Sequence, residues 1–116
     1  MSTLALNPLD FNPNVIREQL HLSRERMGRV LRVSSKTVER WERRQAVPDA
    51  RARKDFSQLK QIAELAHSVY TPDGVKALLT TPLQAFDGRT ALDLMNLGEY
   101  ERVIAALAAD YEGLGY

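Results

Sequence analysis

Cysteine is absent from this chain. That excludes disulfides and thiolate-held metals and suits a reducing, cytoplasmic setting. Histidine occurs only at positions 21 and 67, on different segments, so no imidazole pair is available to hold a metal or relay protons. The six glycines are scattered and form no phosphate-cradling loop, and no nucleophile elbow is present. No run of about eighteen apolar residues exists, and the opening MSTLALNPLD lacks a basic stretch followed by a long apolar one. Neither a membrane span nor a secretory leader is therefore expected. Acidic residues of the second half (Asp87, Asp93, Glu99, Glu101, Asp110, Glu112) could suggest paired carboxylates. Asp93 and Glu99 are better explained as residues near helix starts, where a negative charge complements the backbone dipole. The expectation is a protein that is not an enzyme and carries no cofactor or metal.

What the chain does carry is helical periodicity and an uneven distribution of charge. Residues 1–55 hold 12 Lys and Arg against 7 Asp and Glu, whereas residues 56–116 hold 4 against 8. A near-neutral total thus hides a basic first half, the footprint of a phosphate-binding surface, and an acidic second half. Met27, Val30 and Leu31 lie three and four apart behind Ser23, a natural N-cap. Ser34 restarts the pattern, and Val38 and Trp41 face inward on the next helix. Ser35, Lys36, Glu39 and Arg40 are then left facing outward, near the end of a helix that would enter a major groove.

Elsewhere the pattern is also helical, and no stretch alternates with period two. A first helix is expected over about Val15–Leu20, and Gln45–Ala50 with Pro48 reads as a loop. A long helix over about Ala52–Tyr70 carries a stripe of Phe56, Leu59, Ile62, Ala63, Ala66 and Val69. A short helix around Val75–Leu79 stops at Pro82, and 86–90 is a turn. Thr90 or Asp93 caps a piece with Leu92, Leu94, Met95 and Leu97 mostly inward. Gly98 breaks it, and a last helix runs from about Glu99 to Tyr111 before a loose GLGY tail. The fold class is all-α, as one compact domain or two small ones sharing a helix.

The stretch LSRERMGRVLRVSSKTVERWERRQAVP resembles the repressor-type helix-turn-helix of the Xre class. Its recognition helix is similar to the Ser-x-x-Thr-Val-x-x-Trp-Glu pattern. The resemblance implies an ion pair between Arg17 and Glu42. It also places small or turn-forming residues where this chain has His21, Arg32 and Arg44, two of them glycine positions in many relatives. A non-glycine residue at positive φ costs on the order of 1 kcal/mol, so looser or differently shaped turns are expected there. DNA contacts are expected from Arg24, Ser34, Ser35, Lys36, Thr37, Glu39, Arg40, Arg43 and Arg44. Lys36 and Arg40 can reach guanine, and Glu39 can accept from cytosine N4. Ser35, Thr37 and Arg43 suit phosphates, and backbone N–H groups behind Ser34 can meet another.

The second half is similar to the toxin-binding domain of Xre/MbcA/ParS-type antitoxins. The match lies in the apolar helix before Pro82, the run Phe86-Asp87-Gly88-Arg89-Thr90-Ala91-Leu92-Asp93-Leu94, and Gly98 followed by Glu-Tyr-Glu-Arg-Val. Relatives commonly have proline at the place of Ala91 and tryptophan near Val75–Leu78. The resemblance implies an antitoxin that neutralises a RES-domain toxin consuming NAD+ and represses its own operon by binding double-stranded operator DNA. The resemblance covers about residues 15–116. Residues 1–13, which carry two prolines and few periodic signals, read as an extended N-terminal arm. The chain then divides into that arm (1–13), a helix-turn-helix domain (14–55), a connecting helix (56–72) and a toxin-binding domain with C-terminal tail (73–116).

Toxin contacts are expected from Arg89, Tyr100, Gly113, Leu114, Gly115 and Tyr116. The glycines would leave the tail pliable, and Leu114 and Tyr116 would anchor it. Tyr116 would also bring the terminal carboxylate to a basic nucleotide pocket. Tyr100 can equally be a core residue, Arg89 a turn-stabilising one, and the tail a frayed end. A homodimer is expected, through the long helix or the apolar face of 92–107. Two other readings stay open: a stand-alone repressor whose C-terminal half only dimerises, and an adaptor with a degenerate helix-turn-helix that binds protein alone.

Overall fold

In the computed structural model, residues 11–113 are described. Seven α-helices follow one another among them: α1 (Pro13–Gln19), α2 (Arg24–Leu31), α3 (Ser35–Glu42), α4 (Ala50–Val69), α5 (Pro72–Thr80), α6 (Ala91–Asn96) and α7 (Tyr100–Gly113). A 3₁₀ turn at Gln84–Phe86 precedes α6. The one strand-like feature among the described residues is the isolated bridge between Leu83 and Arg89, which closes the turn between them. The all-α expectation holds.

Five of the seven helices, α2 to α6, start where a side chain satisfies a free N–H group. Ser23, Ser34, Asp49 and Thr71 accept from the backbone N–H three residues on. At α6 both candidate caps act together. Thr90 Oγ1 accepts from Asp93 N–H at 3.0 Å, and Asp93 Oδ2 accepts from Thr90 N–H at 3.0 Å, a reciprocal capping box. The ends are equally local. His21, Arg32 and Arg44 adopt left-handed φ of 55°, 60° and 60°. Behind them the bonds Leu22 N–H to Arg17 O, Val33 N–H to Gly28 O and Gln45 N–H to Arg40 O close α1, α2 and α3 in the same six-residue loop. All three non-glycine positions therefore adopt the left-handed conformation, and the turns are closed by their hydrogen bonds rather than loosened or reshaped.

The spine is α4. Its stripe of Phe56, Leu59, Ile62, Ala63 and Ala66 is buried, as expected, but Val69 is only half-buried. α1, α2, α5 and α7 pack against it, and α6 lies against α2, α5 and α7. Tyr70 Oη donates to Asp110 at 2.7 Å and ties the end of α4 to α7, while His67 Nε2 meets Gln19 O at 2.9 Å and ties it to α1. One buried apolar cluster runs from Phe11 to Leu107 and takes residues from all seven helices. Residues 56–72 are therefore the shared centre of the core rather than a bare connector, and α4 already begins inside the segment assigned to the helix-turn-helix. The apolar faces offered above for a dimer are largely used within the chain.

Three local expectations need correction. The arm does not extend to residue 13. Phe11 is buried, edge-on to Phe56 (centroids 4.7 Å apart) and to Trp41 (5.8 Å), and Pro13 opens α1, where its fixed φ suits a first turn. Leu97 is 58% exposed, because α6 ends at Asn96 and the chain turns away through Gly98 at φ 77°. α7 continues to Gly113, so this glycine ends a helix rather than starting a loose tail.

Candidate functional site: the α2–α3 face and the α5–α7 half

The turn between α2 and α3 spans only Arg32–Ser34, so α3 is set against α2 by few dihedrals and by close packing at Gly28. A Cβ at Gly28 would lie 2.6 Å from Val33 O. Val38 and Trp41 point into the core, as their spacing predicts, and this turns the rest of α3 outward. Ser34, Lys36, Arg40, Arg43 and Arg44 are exposed, with Ser35, Thr37, Glu39 and Arg24 half-exposed. All nine expected DNA-facing residues are thus at least partly exposed, and Arg24, Ser35, Lys36 and Glu39 line one cleft. This open cleft of about 500 Å³ is also lined by Arg17, Ser23 and Glu25.

Several of these side chains already have partners. Glu39 receives Arg43 at 3.0 Å and Lys36 at 3.6 Å. Ser34 Oγ, besides accepting from Thr37 N–H at 3.0 Å, shares a proton with Thr37 Oγ1 at 2.9 Å. Arg44 donates to Asn12 at 3.1 Å, and Arg24 is drawn to Glu42 at 3.0 Å while staying 41% exposed. The Arg40 side chain is exposed and has neither hydrogen-bond nor ion-pair partner among the described residues. It is the cation of α3 best placed to meet a ligand without giving up another bond.

The expected Arg17–Glu42 pair is present and bidentate, at 2.7 and 3.3 Å. Its partner carboxylate is 6% exposed. Desolvation works against the Glu42 charge, but hydrogen bonds from Arg17 and Arg24 outweigh it and hold the carboxyl below the usual glutamate range. A depressed pKa of this kind stabilises the fold above the ordinary glutamate value, and the contribution fades as pH falls through the folded-state pKa. Arg17→Ala should accordingly lower the melting temperature at neutral pH by roughly 10 °C, on the order of 2 kcal/mol with Arg24 still in place. The gap from the parent protein should narrow in acid. Equal melting temperatures at pH 7 would show that the pair does not support the fold.

The C-terminal half presents fewer of its expected residues. Arg89 is exposed, on a turn where Asp87 and Gly88 take left-handed φ of 58° and 82°. Arg102 braces that turn by donating to Ala85 O (3.2 Å) and to Asp87 (3.3 Å). Tyr100, expected as a contact, is 2% exposed and its hydroxyl donates to Val30 O, so it is a core residue that joins α7 to α2. Burial, and then the Asp55 carboxylate, push its phenol up to about 12, so it keeps the proton it donates. Gly113 ends α7, while Leu114, Gly115 and Tyr116 lie outside the described residues. Among the described residues no acidic, histidine or cysteine cluster could hold a metal, and no helix is long and apolar enough to cross a membrane.

A capped helix-turn-helix sharing one core with five further helices defines the class: an all-α protein with two short helices, α2 and α3, set against each other across a three-residue turn. No family model matches the chain. Among individual proteins, the mycobacterial cidal antitoxin MbcA of Mycobacterium bovis and that of Mycobacterium tuberculosis are each 30% identical to it over 97 residues. These span 84% of this chain and 86% of theirs. A chain of the crystal structure of the M. tuberculosis MbcT-MbcA toxin-antitoxin complex superposes with a TM-score of 0.73 at 29% identity, over 93% of this chain and 97% of that one. The chain belongs to the MbcA antitoxin family.

Proposed function

We propose that this antitoxin neutralises a cognate RES-domain, NAD+-degrading toxin by direct binding, and that it represses its own operon by binding operator DNA as a homodimer. The observation that carries the reading is that similarity to MbcA runs through both halves, whose relative appears in a complex with a toxin. The exposed cationic face of α3 supports the DNA part. In this reading Lys36 and Arg40 meet base edges, and Arg24, Ser34, Ser35, Thr37, Arg43 and Arg44 hold phosphates, with Glu39 ordering the two cations beside it. Residues 73–116 hold the toxin, with Arg89 and the tail as contacts.

The test is to co-express the chain with the product of its neighbouring gene and to follow growth and cellular NAD+. The full chain should restore both, and a truncation after Glu112 should restore neither. Arg40→Ala should restore growth but weaken operator binding by about 1–3 kcal/mol, with relaxed preference at one base pair. A harmless neighbour that does not co-purify would overturn the antitoxin–toxin reading and leave a stand-alone repressor. Equal weakening by Arg40→Ala on every DNA sequence would make that residue a phosphate contact.

A further inference from the structure

The last carbonyls of an α-helix have no partner within the helix and usually turn to water or to a cap. At the end of α2 they turn to side chains of other helices. Val30 O accepts from Tyr100 of α7, Leu31 O from Arg51 of α4 at 3.1 Å, and Arg32 O from Arg51 at 3.3 Å. The donors are tied together below. Asp55, 5% exposed and the one buried charged residue among those described, accepts from Arg51 at 3.2 Å and from the Arg32 guanidinium at 2.7 Å. Arg32 is itself the left-handed residue of the α2–α3 turn. Three successive carbonyls and the hinge side chain are thus held by α4 and α7.

We infer that Tyr100, Arg51 and Asp55 are positioning residues for the recognition helix, which makes α7 of the C-terminal half a working part of the DNA-reading unit. This rests on the proposed reading of α3 as the DNA contact. The turn holds only Arg32, Val33 and Ser34, so any shift of Val30–Arg32 passes directly to the first turn of α3. Side chains that read base edges must be held to about half an ångström, which a turn of this size does not provide alone. Tyr100 and Arg51 need not touch DNA to act in this way.

The test uses the full chain with Tyr100→Phe, which keeps the buried ring and removes only the donor, and Arg51→Ala at an exposed position. Both are measured well below their melting temperatures. Hydrogen exchange should quicken at residues 32–37 and not along α4. Affinity for the duplex upstream of the gene should fall roughly tenfold, the scale of one lost hydrogen bond to a buried acceptor. The slope of log affinity against log salt should stay unchanged for both variants, because no phosphate contact is lost. A shallower slope in Arg51→Ala would make that residue a phosphate contact instead.

Unchanged exchange in the turn for both variants overturns the inference, and so does altered exchange with parental affinity. A parent protein that binds no duplex, together with quickened exchange in the variants, would defeat the DNA reading and leave the turn-holding role in place.

Discussion

Trp41→Ala is expected to cost about 4 kcal/mol and to lower the melting temperature by roughly 15–20 °C. The ring is 3% exposed, lies edge-on to Phe11, and sits on α3 beside Val38, which is fully buried. Its loss opens a cavity beside Phe11, which also packs edge-on to Phe56 of α4 and so is not free to collapse into it. Against a total stability of about 5–15 kcal/mol, that is a large fraction. The measurement is a thermal melt followed by far-ultraviolet circular dichroism, since the variant has no other tryptophan. The sequence preference of whatever remains folded should be unchanged, because Trp41 faces inward. A melting point within a few degrees of the parent would mean that α3 is not anchored by this ring.

The same residue shows why much of the first half was legible. Its inward direction follows from a spacing of three from Val38, and the caps at Ser23 and Ser34 follow from residue type alone, because an N-cap involves only the next three residues. The turns at His21, Arg32 and Arg44 were legible in place but not in shape: their side chains argued for looser turns, whereas the backbone keeps the left-handed geometry at all three. Arg17 and Glu42 are 25 residues apart, so only the family resemblance could pair them.

What escaped was set by packing between distant segments. Phe11 sits among residues without periodicity, so nothing local marks it as buried. Asp55 reads as a solvated position on a charged stretch of α4, and its burial appears only when Arg32 and Arg51 close over it. Tyr100 was left between surface and core because its partner, Val30 O, is 70 residues away. The bracing role of Arg102 depends on a turn whose approach to α7 has no sequence signature. Gly28 belongs to the same group. A lone glycine inside a helical pattern does signal a close approach, but it does not say to what.

Gly28→Ala is expected to destabilise the protein even though alanine is the better helix former. In an open helix the exchange would gain about 1 kcal/mol. Here the new Cβ would stand 2.6 Å from Val33 O, 3.2 Å from Ser34 C and 3.3 Å from Ser35 N. All three are backbone atoms of the α2–α3 turn, so no side chain can swing away to make room. Relief requires the turn and the first residues of α3 to move, straining the Val33 N–H to Gly28 O bond of 2.8 Å that closes α2. Overpacking against such a rigid wall costs about 1–3 kcal/mol, enough to outweigh the helical gain. The displacement also falls on Ser34 and Ser35, so operator affinity should drop by more than the loss of stability alone would cause at a temperature where both proteins are folded. Thermal melts paired with operator titrations well below the melting point separate the two effects. A melting temperature at or above the parent's would show that α2 and α3 tolerate separation, and that the turn is not held as tightly as its contacts imply.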